Sequence, residues 1–326
     1  MRVKFLFFVT AIFALALSVI SCERRDREFP SHAIEIIIPA GAGGGMDTMV
    51  RFMQPLLQEE LGVPIRVSNI PGGVHATGTI QAFSQPADGY TILIASQSAL
   101  LIDVFGRAPF TFTEQFVPLA RMQKEVGVLW AAADGRFQTI EQAIEYARAG
   151  GTVTVAMSSP GGIDDASVSG FAFASGVELA LVPIASGGER MAAVIGGHVD
   201  LLYEEASAMM DMAEIGSIVP LVVFSDEQID FPLLADIPFA GQFGIYGTDA
   251  LGTWRSWTVR RDTPPEVQAR LRTALYNVFN SPAYQEWAVE NGLDIVPGWL
   301  GPQEARELWT YTVNLLTETF TAVGRI

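Results

Sequence analysis

The chain has a single cysteine, Cys22, and only three histidines, His32, His75 and His198, in 326 residues. One thiol excludes an internal disulfide framework, and once an exported chain begins at that cysteine no Cys nucleophile remains in its folded body. The histidines leave little for acid–base catalysis. His32 belongs with a charged N-terminal tether and His198 precedes a strand, so His75, beside a glycine loop, is the sole candidate base. Neither a Gly-x-Ser-x-Gly elbow nor a His-Glu-x-x-His pair occurs, which removes the residues that serine hydrolases and zinc proteases need. Positive charge is also scarce. With 20 Lys and Arg against 36 Asp and Glu, the formal charge is −16, a balance that disfavours nucleic acid and anionic headgroups. No internal repeat is evident. On these grounds no catalytic residue, metal or cofactor is assigned, and a periplasmic hydrolase ranks last among the functions considered.

The N-terminus carries Arg2 and Lys4, an apolar run over 5–20 and then Val19-Ile20-Ser21-Cys22. This is the pattern of a secretory signal over 1–21 ending in a lipobox, with Cys22 lipidated and residues 22–31 forming a charged tether. An uncleaved anchor is the alternative, but the run is short for a membrane span. Cleavage before Cys22 leaves 18 basic and 36 acidic residues, a formal −18. The product is expected on the extracytoplasmic side, held to a membrane by its lipid.

Glycine is concentrated where it carries chemistry. The apolar strand at 34–38 runs into Pro39-Ala40-Gly41-Ala42-Gly43-Gly44-Gly45-Met46-Asp47 and then into an amphipathic pattern with Val50, Met53, Leu57 and Leu61 on one face. Glycines at a helix start let backbone approach a ligand, and the free N–H groups with the positive end of the macrodipole form an anion seat. Met46 stands where a dinucleotide fingerprint needs glycine, and no Lys-Ser/Thr follows as in a Walker loop. Similar small-residue turns follow other predicted strands: Pro71-Gly72-Gly73, Ser96-Gln97-Ser98, Ser158-Ser159-Pro160-Gly161-Gly162 and Ser186-Gly187-Gly188. In open α/β sheets ligands bind beyond such strand ends.

Taken in order, the strand–Pro–GlyGlyGly–x–Asp–helix opening over 36–51, Asn69-x-Pro71-Gly72, Asp88-Gly89-Tyr90-Thr91, the loop over 183–188, Gly196-Gly197-His198-Val199-Asp200, Asp236-Ile237-Pro238, Asp262-Thr263-Pro264-Pro265 and the segment 281–293 resemble the tripartite tricarboxylate transporter substrate-binding proteins, the TctC or Bug family. The resemblance spans nearly the whole mature chain. It implies an α/β, two-lobed, type II periplasmic-binding-protein-like fold with mainly parallel sheets, a carboxylate held by loop amides in the interlobe cleft, and delivery to a two-subunit membrane permease. A ligand-sensing lipoprotein feeding a membrane sensor would share every one of these features.

The lobes are expected at 32–125 with 243–326, and at 126–242, since about 295 residues exceed one comfortable core. The segment 99–116 reads as turn-rich. Expected ligand contacts are Gly43, Gly44, Gly45, Met46, Asp47, Gly72, Gly73, Ser96, Gln97 and Ser98 from one lobe. The other lobe offers Ser158, Ser159, Gly161, Gly162, Ser186, Gly187, Gly188 and Glu204, the last by alignment with a family cleft position. Asp47 is expected to lock the loop rather than face the anion. Departures from the family pattern, Ala40 for Phe, Ile163-Asp164-Asp165-Ala166 for Thr-x-x-His and Ile184-Ala185 for Tyr-Lys, remove a basic residue and add acids. The solute expected is therefore a small organic anion, a carboxylate or an amino acid, rather than citrate.

Overall fold

The computed structural model describes residues 28–326, except Ala185 and the side chain of Asp249. The expected signal segment, Cys22 and most of the tether lie outside the described residues. The first lobe opens with β1 (Ile34–Ile38), α1 (Gly45–Leu61), β2 (Ile65–Asn69), α2 (Ala76–Phe83), β3 (Thr91–Ala95), α3 (Gln97–Phe105), α4 (Phe112–Gln115) and β4 (Phe116–Lys124). The chain then crosses to β5 (Gly127–Ala132), α5 (Ile140–Arg148), β6 (Thr154–Met157), α6 (Ile163–Ser175), β7 (Ala180–Pro183), α7 (Gly187–Ile195), β8 (Leu201–Glu205), α8 (Ala206–Glu214) and β9 (Ile218–Val223). A 3₁₀ turn, Ala240–Phe243, and α9 (Thr248–Leu251) lead back to β10 (Trp254–Arg260), α10 (Pro265–Phe279), α11 (Pro282–Glu290) and α12 (Pro302–Ala322).

Two five-stranded sheets result, ordered β2-β1-β3-β10-β4 and β7-β6-β8-β5-β9. Strand–helix alternation accounts for their parallel halves, β2-β1-β3 and β7-β6-β8. The other pairings are antiparallel, so each sheet is mixed rather than mainly parallel. The cause is the crossing. β5 and β10 are each the first strand after the chain changes lobe, so they start at the cleft, where β1, β3, β6 and β8 end. The two crossing segments are tied together, Glu125 N–H donating to the Thr253 carbonyl at 2.6 Å.

Burial explains the local choices. β1 is apolar throughout apart from Glu35 because helices cover both faces of its sheet. α1 buries Met46, Met49, Val50, Met53, Leu57 and Leu61, runs through Pro55 and stops at Gly62, whose φ of +71° suits a residue without Cβ. α10, α11 and α12 each begin at proline, where the missing N–H costs least. The segment 99–116 is not mainly turns. α3 continues to Phe105 because Ala99, Leu100, Leu101 and Ile102 are all buried, whereas the sequence shows an apolar run without helical contrast. α12 lays Trp309, Leu316 and Phe320 on the first lobe, in a cluster that also takes Ile163 and Ala166 from α6 of the second.

Candidate functional site

The cleft-facing strand ends of both sheets surround a cavity of about 560 Å³, lined among others by Gly44, Gly45, Met46, His75, Ser96, Gln97, Ser98, Gln123, Glu125, Glu204, Glu205, Thr253 and Arg255. A second chamber of about 190 Å³ adjoins it, sharing Gln97, Ser98, Glu204, Glu205 and Thr253 and adding Ser158, Ser159, Gly162, Asp164 and Arg190. Ala40, Met46, Trp287 and Leu293 give the larger chamber an apolar wall suited to a carbon skeleton.

At the start of α1, Gly44 is the N-cap in extended conformation and no side chain caps the helix. The first helical amides therefore look for an anion. Gly43 lies outside the cavity lining: its N–H donates to Asp47 Oδ2 at 2.9 Å. Asp47, 3% exposed, also accepts from Arg51 Nε at 2.9 Å and Asn69 Nδ2 at 3.0 Å, so it shapes the loop from behind. Burial pushes its carboxyl upward, but the Arg51, Gly43 and Asn69 hydrogen bonds together hold it below the ordinary range. That stabilisation is present above the unfolded value near pH 4 and is lost as pH falls through the lower folded value. Asp47→Ala should cost roughly 2–4 kcal/mol in urea unfolding at neutral pH, because buried donors lose their acceptor; a loss under about 0.5 kcal/mol would contradict this anchoring role.

Gly72 and Gly73 are also outside the lining. Four successive positive φ values, at Gly72, Gly73, Val74 and His75, turn the loop so that Val74 and His75 face the chambers. His75 sits 3.3 Å from Ser96 Oγ through Nδ1. Burial, helped by the Arg255 charge, lowers its pKa to about 4, leaving it neutral at pH 7. Ser96 caps α3, accepting from Ser98 N–H at 3.3 Å.

In the second lobe, Ser158, Ser159 and Gly162 reach the smaller chamber. Gly161 does not line it and donates N–H to Asp165 Oδ2 at 2.8 Å. Ser186, Gly187 and Gly188 also stand off the lining: Ser186 caps α7, accepting from Glu189 N–H at 3.4 Å. Glu204 lines both chambers but is ion-paired with Arg190.

The central group missed from sequence is Arg255. It is 8% exposed, its Nη1 binds Glu125 Oε1 at 2.6 Å, and a Cβ built on Gly45 would lie 2.7 Å from its Nη2. Its guanidinium thus lies beside the helix start, with its charge shared with Glu125. Glu125 holds the crossing together, accepting also from Gln123 Nε2 at 2.8 Å and from the Ser207 hydroxyl. Glu205 accepts from the Thr253 hydroxyl. Burial, then the charge and carboxyl of Glu204 beside it, push Glu205 up to about 8. Among the described residues no three His, Cys, Asp or Glu side chains are grouped to hold a metal ion, and no helix is long and apolar enough to cross a membrane.

This interlobe geometry is what a solute receptor requires, and the family comparison agrees: the model described as tripartite tricarboxylate transporter family receptor, TctC, matches residues 49–312. The chain belongs to this receptor family. The UPF0065 protein in the tcbD-tcbE intergenic region of Pseudomonas sp. (strain P51) is 28% identical over 295 residues, 89% of this chain and 87% of its own. A TctC solute binding protein from Polaromonas shares the receptor's fold with a TM-score of 0.76 at 21% identity, over 90% of this chain and 99% of that one. MatC from Rhodopseudomonas palustris, solved with bound malate, gives 0.73 at 20% identity over 89% and 99%. The family and fold are those of solute-binding receptors rather than of enzymes.

Proposed function

We propose that this receptor captures a small carboxylate-bearing organic solute outside the cytoplasm by lobe closure and delivers it to a two-subunit membrane permease of the tripartite tricarboxylate type. In this reading the mature protein is a lipoprotein anchored through Cys22. The observation that carries the proposal is the junction of the uncapped α1 start with Arg255, facing a cavity walled by both lobes. Malate in the structurally similar MatC supports a carboxylate as the group recognised. A carboxylate docks on the Gly44 to Met46 backbone and Arg255; the second lobe then adds contacts from Ser158, Ser159 and Gly162. Ligand favours the shut form only through contacts that the open form lacks.

Gly44→Val tests the seat. At Gly44 the backbone is compatible with an L side chain, and a Cβ would meet nothing nearer than the Gly41 carbonyl at 3.8 Å. The fold should therefore survive while a branched side chain covers the amides. Calorimetric affinity for a carboxylate ligand should fall about a hundredfold or more, the loss of two charge-assisted hydrogen bonds; unchanged affinity in a folded variant would refute the backbone seat.

A further inference from the structure

We infer that the solute is a zwitterion, its carboxylate on the α1 seat with Arg255 and its protonated amine against Glu204 and Glu205, so that amino acids are its chemical class. This rests on the receptor reading above and names the chemistry of its ligand.

The first observation is that the second lobe's glycine loop brings a carboxylate of its own, Asp164, to the chamber wall. In the second lobe the loop amides already hold carboxylates of their own helix: Ser158 N–H donates to Asp164, and Gly161 N–H donates to Asp165 Oδ2 at 2.8 Å. A dicarboxylate reaching across the cleft would find the place of its second group taken.

The second observation is the balance of charge. Glu125, Glu204 and Asp164, with Glu205 as a protonated carboxyl, line the two chambers, against Arg255 and Arg190. Arg190 is committed to Glu204 and, through Nη1 at 2.8 Å, to the Ile184 carbonyl. His75 is neutral at pH 7 and brings no charge. Where the chambers meet, a second ligand carboxylate would face the Glu204 carboxylate with no cation to spare, whereas an ammonium would be received by Glu204 and, once its proton leaves, by Glu205.

The third observation is independent of the acids. Gln123 is 4% exposed and forms part of the cavity wall. Its Nε2 donates to Glu125, yet its Oε1 has no partner among the described residues. A buried acceptor left in this state, beside a carboxylate and in a ligand cavity, calls for a donor rather than another anion.

Proton balance follows from the same geometry. Glu205 shares the chambers with Glu204 and Tyr203 of its own strand, Asp164 of α6, Arg190 of α7, Glu125 at the crossing, Arg255 of β10 and His75 before α2. With its pKa near 8 it is protonated in the free protein at neutral pH. An arriving ammonium forms a salt bridge with the Glu205 carboxylate, and the carboxyl proton leaves to solvent. Binding of the amine therefore releases up to one proton per molecule.

The test keeps the carboxylate constant and varies the far group in isosteric sets: pentanoate, 4-aminobutyrate and glutarate; then hexanoate, 5-aminovalerate and adipate. L-2-aminopentanoate places the amine next to the carboxylate instead. Wild type and Glu205→Gln are titrated calorimetrically near pH 7 in two buffers of different ionisation enthalpy, which counts released protons. At least one amine should bind about tenfold or more tightly than its methyl- and carboxylate-ended isosteres, a gap of about 1.4 kcal/mol, with proton release. Glu205→Gln should lose both the preference for the amine and the proton release. Tighter binding of glutarate or adipate than of any amine overturns the zwitterion and leaves an organic-anion receptor standing. Binding by none of the acids overturns both readings. Should Glu205→Gln not fold, the wild-type ranking and proton count decide alone.

Discussion

Arg255→Met should abolish carboxylate binding and lower the melting temperature by on the order of 10 °C. Two separate consequences are combined in that substitution. Removing the guanidinium leaves Glu125 buried at the crossing without its cation, and breaking a buried ion pair from one side costs roughly 3–5 kcal/mol. It also removes the guanidinium that lies beside the α1 start, where a Cβ on Gly45 would stand 2.7 Å from Nη2. The double variant Glu125→Gln with Arg255→Met separates the two. Its buried carboxylate is gone, so most of the stability should return, since replacing both partners of a buried pair is often close to neutral. Binding should not return. Thermal denaturation together with calorimetry of the tightest acid in the isosteric sets reads both properties, and a double variant with wild-type affinity would remove Arg255 from the seat.

The second large effect is expected at a residue that touches no ligand. Gly78 lies in α2, and a Cβ there would stand 2.7 Å from the Ile70 carbonyl oxygen, 2.8 Å from Pro39 Cα and 2.9 Å from Pro39 Cβ. None of these atoms is the free end of a flexible side chain. Pro39 closes β1, and Ile70 N–H is bonded to the Ile38 carbonyl at 2.8 Å, so the helix itself must retreat if a side chain is added. Gly78→Val should therefore lose about 3 kcal/mol or more, greatly exceeding the gain of roughly 0.5–1 kcal/mol from removing a helical glycine. Gly78→Ala should fall between the two. Because α2 carries the Val74 to His75 turn into the cleft, the surviving folded fraction should also bind solute more weakly. A urea midpoint for Gly78→Val within about 1 kcal/mol of wild type would show that α2 and the end of β1 are not in forced contact.

These two sites differ in how far they can be read from the chain alone. Gly78 is one glycine in a short helical pattern, and nothing in its neighbourhood of sequence distinguishes a close approach from an incidental small residue. Gly44 and Gly45, by contrast, follow an apolar strand and open an amphipathic helix, and that order is itself the signature of a backbone seat. Asp47 was also legible as a loop-locking residue, because a carboxylate in a first helical turn is within reach of the amides just before it. The same logic at Asp164 identifies a cap, with Asp165 beside it in the same turn. It does not reveal that they take up two amides of the second loop, which depends on Ser158 and Gly161 turning their N–H groups inward.

Strand and helix alternation, proline at helix starts and glycine after strand ends are local patterns, fixed by backbone sterics and by which side chains must leave water. From them the sequence by itself determined the α/β class and the uncapped glycine start of α1 proposed above as an anion seat, while the order of its motifs carried the resemblance to the family and its two-lobed fold. The charge of the cleft was decided only by tertiary structure. Arg255 and Gly45 are far apart in sequence, as are Glu125, Glu205 and Thr253, and they meet because each lobe's crossing strand enters its sheet antiparallel, bringing its first residues to the end where the other strands stop. Such a meeting depends on sheet register and on the path between lobes, and no periodicity within the chain encodes it.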